Sequence, residues 1–190
     1  MNRIFKITGI LMLFVSCKST KPTIFNENIF WYDNLGINEI IKIESRLNSK
    51  DFSEESHTIA FGVNLYPNER GFNLQKPKVF LRDLNKELPF KVFYQFSSDS
   101  INRLILYEWD TSDVLTGDEL PYQEKSKLRE KCILKFDEIF NLITSRLGKP
   151  KEDIISKSNR REVKWIAKNG LNVFLLSFGP NPIRLSIYKE

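Results

Sequence analysis

Few side chains in this sequence have the chemistry of catalytic residues. His57 is the only histidine among 190 residues, which excludes a histidine-rich metal site and any mechanism that needs two imidazoles. Glu54 and Glu55 could pair with it, but the flanking serines favour a solvated loop that carries a surface histidine. No Gly-x-Ser-x-Gly elbow occurs. The sequence therefore contains no convincing pair of nucleophile and base.

Carboxylates are the remaining candidates for chemistry. Six of them fall within 17 residues that contain no basic side chain: Glu108, Asp110, Asp113, Asp118, Glu119 and Glu124. On an extended strand Glu108 and Asp110 would share a face about 7 Å apart, a separation that glycosidases use. A strand end, a loop and a helix N-terminus also favour acidic residues, and the spacing matches no dense calcium loop. We therefore interpret the run as structural and expect no metal and no cofactor.

Cys132 lies within an apolar stripe of a predicted helix, four residues from both Leu128 and Phe136. A thiol in that position is usually a small buried hydrophobic group with a raised pKa. The other cysteine is Cys17, near the N-terminus. We expect no disulfide framework, because an acylated Cys17 would leave Cys132 without a partner in the same chain.

The first seventeen residues predict export. Arg3 and Lys6 precede a nine-residue apolar run, whereas a membrane-spanning helix needs about 20 residues. The run ends in Phe14-Val15-Ser16-Cys17, which resembles the lipobox of bacterial lipoproteins, where the leader is cut before a cysteine that becomes diacylated. The resemblance covers only the leader, and it implies a lipid attached to Cys17. The alternatives are a conventionally cleaved protein and an uncleaved anchor.

The expected organisation is a signal peptide at 1–16, a lipidated N-terminus and tether at 17–30, and a single domain at 31–190. Removal of the leader takes away Arg3 and Lys6 and no acid, so the formal charge falls from +5 to +3. A chain this mildly basic and exported is not expected to bind nucleic acid. We expect the lipid on Cys17 to hold the domain on the periplasmic or outer side of a bacterial membrane.

Apolar periodicity predicts the elements of the domain. A helix is expected at 36–48 with Asn34 as its cap, a strand at 58–65 and a short strand at 78–81. A hairpin is expected from 90–96 and 103–109. A long helix at 121–147 is the strongest prediction, since Pro121 suits its first turn and Gly148 its end. Strands follow at 162–168, 171–178 and 183–189, and Asn169-Gly170 predicts a type I′ turn.

This order predicts an α+β fold, with a mainly antiparallel sheet of about six or seven strands and two helices on one face. The C-terminus should form a three-stranded meander. Leu104, Ile105 and Leu106 in succession indicate a central strand that is covered on both faces. The solvent-facing side of the sheet is expected to carry polar residues, either Lys91, Gln95, Asn172, Arg184 and Ser186 or their neighbours.

A basic stretch follows the long helix. Residues 146–168 contain eight basic and three acidic residues, which gives a local charge of +5. The candidate contacts for an anionic envelope component or a protein partner are Lys157, Arg160, Arg161 and Lys164. The alternative is a solvated loop whose charges only flank helix and strand ends.

Two function classes remain. The first is a non-catalytic, lipid-anchored envelope protein that binds another protein or an envelope component, because no convincing catalytic constellation is present. The second is a lipid-anchored envelope hydrolase that uses acidic residues. Converging carboxylates with raised pKa values in a deep pocket would favour the hydrolase.

Overall fold

The structure is a computed structural model that describes residues 23–54, 66, 73–82, 88–111, 121–179 and 182–189. Within them the chain forms two helices and ten strands. The N-terminal part contains β1 Thr23–Ile24, β2 Phe30–Trp31, α1 Ile37–Arg46 and β3 Lys50–Asp51. The next strands are β4 Lys78–Arg82, β5 Phe90–Phe96 and β6 Asn102–Trp109. After them come α2 Tyr122–Leu147, β7 Glu152–Ile155, β8 Arg160–Ile166, β9 Leu171–Phe178 and β10 Ile183–Lys189.

The α+β class is confirmed, since one large antiparallel sheet has the strand order β3-β4-β5-β6-β10-β9-β8-β7. It contains eight described strands, compared with the six or seven expected. β3 and β7 were missed because β3 has two residues and the sequence of β7, Glu-Asp-Ile-Ile, does not alternate. β1 and β2 pair separately as a two-stranded sheet. The strand predicted at 58–65 lies outside the described residues.

Both predicted helices are present, and their ends follow local backbone chemistry. α1 has Gly36 at its N-cap. The prediction of Asn34 as the cap is wrong, because Asn34 lies two residues earlier in a left-handed conformation with φ 56°. α2 begins directly after Pro121 and ends at Gly148, whose φ of 85° suits glycine and whose N–H donates to the Thr144 carbonyl at 2.9 Å.

The predicted hairpin of β5 and β6 is present, with Val92 opposite Tyr107. β8, β9 and β10 pair in sequence order, and β10 then pairs with β6. The prediction of a type I′ turn at Asn169-Gly170 is wrong. Ala167 N–H donates to the Leu171 carbonyl, which leaves a three-residue loop, and only Gly170 in that loop has positive φ. Such loops combine a type I turn with a left-handed residue.

The core of the domain lies on one face of the sheet. One contiguous cluster contains Ile40 of α1, Phe136 and Ile139 of α2, and alternate strand residues such as Ile105 and Leu185. Alternation with period two places these strand residues on the same face. Tyr107 and Trp109, which follow Ile105 at the same spacing, belong to the cluster as well.

The other face of the sheet is also largely buried. Leu104 and Leu106 are fully buried there, so β6 is covered on both faces as its sequence predicts. Gln95, Asn172 and Ser186 were expected to face solvent on this side, but all three are buried. Lys91 and Arg184 are half-buried. Apolar residues on this face, including Phe93, Leu104, Leu106 and Tyr188, explain why it is covered.

The folded residues include positions 23–31, most of which were expected to belong to a tether. Phe25, Ile29, Phe30 and Trp31 are buried and belong to the main cluster. Asn26 shapes the loop between β1 and β2, because its side-chain oxygen accepts the N–H of Ile29 at 2.7 Å. Neither helix in the described part of the chain is both long and apolar enough to cross a membrane.

Candidate functional site

The structure separates the basic residues that the sequence grouped. Cys17 and His57 lie outside the described residues. Lys157 lies exposed in the turn between β7 and β8, while Arg160, Arg161 and Lys164 belong to β8. Neighbouring residues of a strand point to opposite faces, so Arg160 and Lys164 face one side of the sheet and Arg161 the other.

Arg161 lies on the helix side, where it joins β7, β8 and α2. Its Nε and Nη2 donate to the two carboxylate oxygens of Asp153 at 3.0 and 2.9 Å. Its guanidinium carbon lies 5.2 Å from the ring centre of Phe136 and 4.7 Å from that of Phe140. The hydrogen bond to Asp153 is the main cause that raises the pKa of Arg161. A forked ion pair over aromatic rings of this kind holds a strand against a helix.

Arg160 is engaged on the other face. Its Nε lies 2.7 Å from a carboxylate oxygen of Glu162, and its guanidinium carbon lies 4.8 Å from the ring centre of Phe178. Lys157 and Lys164 have no ion pair with any residue that the structure describes. Of the four predicted contact residues, these two lysines therefore have charges that are open to an external anion.

Among the described residues, the acidic run of the sequence does not bring two carboxylates together in a site. Glu108 is buried. Arg184, directly opposite it on the neighbouring strand β10, donates from Nε to its carboxylate at 2.5 Å. Asp110 is exposed, and Asp113, Asp118 and Glu119 lie outside the described residues. Among the described residues, no three His, Cys, Asp or Glu side chains come together as metal ligands.

Cys132 lies where its stripe predicts, fully buried beneath α2. Burial raises the pKa of its thiol, and the nearby Asp110 charge acts in the same direction. Its Sγ lies 3.8 Å from Oγ1 of Thr111. That contact lowers the pKa of the thiol, but by less than burial raises it. These surroundings describe a packing residue rather than an activated nucleophile.

A buried polar network was missed by the sequence analysis. Arg82 and Glu44 form an ion pair with both side chains 1% exposed, and the Nε of Arg82 donates to Oε2 of Glu44 at 2.9 Å. The hydroxyl of Tyr94 also bonds to Glu44, and Arg82 Nη2 donates to that hydroxyl at 2.9 Å. The signal was Glu44 itself, a charged residue at the helical spacing of Ile37, Ile40 and Leu47.

Burial sets the titration of this network. Burial opposes the charged form of Arg82, but the hydrogen bond to Glu44 together with electrostatic attraction from the nearby Tyr94, Tyr107 and Glu44 outweighs it and raises the pKa of Arg82. Burial raises the pKa of Tyr107 to about 12 and holds the pKa of Tyr94 well above its usual range. At neutral pH the charged Arg82 guanidinium therefore lies beside two neutral phenols, those of Tyr94 and Tyr107, and the centre of the Tyr107 ring is 5.8 Å away.

A groove of about 660 Å³ lies between the loop 26–29, the sheet and α2. Its apolar lining consists of Ile29, Leu88, Phe90, Trp109 and Leu134. Its polar lining consists of Asn26, Glu27, Asn28, Lys131, Lys135 and Glu138. This volume falls within the range of ligand sites, about 300–1,000 Å³.

The floor and the rim of the groove are ordered by contacts between its own residues. The rings of Phe90 and Trp109 stack with their centres 4.8 Å apart. Lys135 Nζ lies 2.9 Å from Glu138 and 6.0 Å from the centre of the Trp109 ring. Trp109 Nε1 is buried and has no hydrogen-bond partner among the described residues. The groove thus combines a packed aromatic floor with a charged rim.

The buried network reaches the groove directly. Arg82 Nη1 donates to the backbone carbonyl of Asn28 at 2.5 Å, and its guanidinium carbon lies 5.9 Å from the ring centre of Phe90. Arg82 therefore fixes the loop that forms one wall and contacts the ring that forms part of the floor.

No known protein family, curated protein or solved structure matches this chain.

Proposed function

We propose that this chain is a non-catalytic, lipid-anchored protein of the bacterial envelope that binds another protein or an envelope component through the groove. The lipid would be attached to Cys17, after cleavage of the leader that resembles those of lipoproteins. The domain would then be held on the periplasmic or outer side of its membrane. A diacylated cysteine is expected to give a stable anchor, because a single acyl chain binds only reversibly.

The observation that carries the binding role is the composition of the groove. Phe90 and Trp109, only 3% and 2% exposed, form a packed floor, and Leu134, 61% exposed, adds accessible apolar surface. Lys131, Lys135 and Glu138 from α2 line the groove with charge. Binding sites commonly combine an apolar surface with a few placed polar groups that fix orientation. A partner segment with an apolar side chain and charged neighbours would match this lining.

The fold that we propose for this role has both helices on one face of the sheet and a C-terminal meander. The shared cluster of Ile40, Phe136 and the strand residue Ile105 supports the first part. The consecutive pairing of β8, β9 and β10 supports the second. In this arrangement α2 forms one long wall of the groove, and the loop 26–29 forms the opposite wall.

The basic stretch would act as a second contact with anionic envelope components. Lys157 and Lys164 are the residues that support this part, since neither has an ion-pair partner in the described structure. Arg160 and Arg161 would contribute less, because each already lies in an ion pair with a carboxylate. Near an anionic bilayer each such lysine adds about 1 kcal/mol of attraction.

The binding role is tested by photo-cross-linking from the groove. A photoreactive phenylalanine derivative replaces Leu134, which is 61% exposed and lines the groove, in the full chain in living bacteria. The matched control carries the same probe at Tyr122, which is 78% exposed and also lies on α2. We expect a defined adduct at position 134 only, and Lys131→Glu in the same chain should lower its yield. Equal adducts at both positions, or none at either, would contradict the proposal.

A further inference from the structure

β7 ends the large sheet on one side, and no other described strand pairs with its outer edge. All four of its residues are exposed, with Ile154 at 55% and Ile155 at 69%. An exposed edge strand is a template for pairing with another strand, and proteins usually protect such edges with charge or proline. In β7 two adjacent isoleucines occupy half of the strand.

Hydrogen bonds between β7 and β8 show which backbone groups face outward. Ser156 N–H donates to the Arg160 carbonyl at 2.8 Å, so Ser156 bonds toward β8. Residues of an antiparallel strand alternate between bonding to one neighbour and facing the opposite side. Ile154, opposite Glu162, therefore also bonds toward β8. The N–H and C=O groups of Asp153 and Ile155 consequently point away from the sheet.

We infer that β7 pairs antiparallel with β7 of a second copy of this chain, about a two-fold axis at Ile154. In this register Asp153 of each copy bonds to Ile155 of the other, which uses every outward backbone group of both strands. Ile154 lies opposite Ile154 of the other copy as a non-hydrogen-bonded pair, the type in which side chains come closest. Glu152 lies opposite Ser156. The pairing joins the two sheets into one.

Backbone hydrogen bonding favours this register over its neighbours, and charge does not oppose it. The Asp153 carboxylate is already neutralised by Arg161, so it does not repel the approaching strand. A register centred on Asp153 would place Ile155 opposite Lys151, whose N–H already donates to the Lys164 carbonyl at 2.7 Å and cannot bond to the second copy. A register centred on Ile155 would place Asp153 against Lys157, which lies in the turn beyond the strand. Self-complementarity of this kind is what a two-fold interface requires.

The first test uses Ile154→Cys in the full chain, with membranes from producing cells treated with a mild oxidant. A non-hydrogen-bonded pair brings the two Cα atoms to about 4.5 Å, within disulfide range. We expect a disulfide-linked species of twice the chain mass on a non-reducing gel. The parent chain measures the background of cross-linking, which should be low because its Cys132 is buried. Ile155→Cys, on the opposite side of the strand, should cross-link poorly.

The register is tested by pairing different positions. Glu152→Cys and Ser156→Cys should each fail alone, whereas the double variant should cross-link, because these residues meet only across the two-fold axis. Ile155→Pro removes an outward N–H without touching the bonds to β8. Added to the Ile154→Cys chain, it should lower the yield of the cross-linked species about tenfold, since two hydrogen bonds per dimer are lost.

Three results would overturn the inference. One is an Ile154→Cys chain that cross-links no faster than Lys127→Cys on the exposed side of α2. Another is a cross-linked band whose mass identifies a different protein, which would show that the edge binds a foreign strand. The third is efficient cross-linking of Glu152→Cys alone, which would exclude this register.

Discussion

The guanidinium group of Arg82 and the carboxylate of Glu44 face each other in the core, with each side chain only 1% exposed. Arg82 comes from the end of β4 and Glu44 from the last turns of α1, so the pair ties the first helix to the sheet. Removing one partner from a buried ion pair leaves the other charge without water and without a counterion. The pair therefore links the stability of α1 to that of β4.

Glu44→Gln should therefore destabilise the domain by about 3 to 5 kcal/mol, because Arg82 would remain charged and buried. Urea unfolding followed by circular dichroism measures this change. Glu39→Gln on the exposed side of the same helix is the matched control and should change stability by less than about 0.5 kcal/mol. Equal midpoints for the two variants would show that the buried pair does not stabilise the fold.

Alkaline pH should weaken the fold through Tyr107. Its pKa is raised from 10.0 to about 12 by burial, so the folded state holds the phenol proton more tightly than the unfolded state does. The resulting stability is complete below pH 10 and is lost as pH rises toward 12. Unfolding free energies measured across this alkaline range should fall less steeply for Tyr107→Phe than for the parent chain. Parallel curves would contradict the assignment, and Tyr122→Phe, at an exposed position, should leave the slope unchanged.

Phe136→Ala should cost about 3 to 5 kcal/mol, since the side chain is 6% exposed within the main cluster. Part of the loss comes from Arg161, whose guanidinium lies over the Phe136 ring. Thermal and urea unfolding give the change in stability. Lys127→Ala and Asp137→Ala, at exposed positions on the same helix, should each cost less than about 1 kcal/mol. An unchanged unfolding midpoint for Phe136→Ala would contradict the packing.

Cys132 should resist thiol reagents in the folded protein. The thiol is buried and its pKa is raised, so both access and the thiolate fraction are low. In a Cys17→Ala chain, Cys132 is the only thiol, and its labelling should be slow in buffer and fast in urea. A chain that carries Cys17→Ala, Cys132→Ser and Ile133→Cys should label fast in buffer, because Ile133 is 54% exposed. Fast labelling of native Cys132 would show that α2 does not cover it.

Cys17→Ala should release the chain from the membrane or stop processing of the leader, because the acyl acceptor is lost. Membrane fractionation and mass spectrometry of the mature N-terminus measure the two effects. Ser16→Ala, which keeps a small residue before the cysteine, should leave attachment unchanged. An unmodified Cys17 in mature protein extracted from membranes would contradict lipid attachment.

Periodicity predicted the elements well where a single face had to be buried. α2 shows this clearly, since Cys132, Phe136, Ile139 and Ile143 recur at helical spacing and are all buried. The hairpin of β5 and β6 was predicted from the apolar alternation of β5 and the break before β6, although both faces of β6 are covered. β7 could not be found this way, because all its residues are exposed and burial imposes no pattern on them.

The candidate site was less predictable, because it depends on residues distant in sequence. The groove joins Asn28, Phe90 and Lys135, which no spacing rule connects. Arg82 and Glu44 are 38 residues apart, and neither residue alone indicates that both charges are buried. The basic stretch was interpreted as one surface, but the strand places Arg160 and Arg161 on opposite faces.

The strand order of the large sheet also defines how the chain assembles. β5 pairs with β6, and β7 through β10 pair in succession, so most ladders join neighbours in sequence. Among the described strands, the two halves of the sheet pair through β6 and β10, as in the contact of Glu108 with Arg184, which are 76 residues apart. Local ladders form faster than distant ones, because less loop entropy is lost. We therefore expect the two halves of the sheet to form early and the β6–β10 seam to close last, which makes that seam the rate-limiting step of folding.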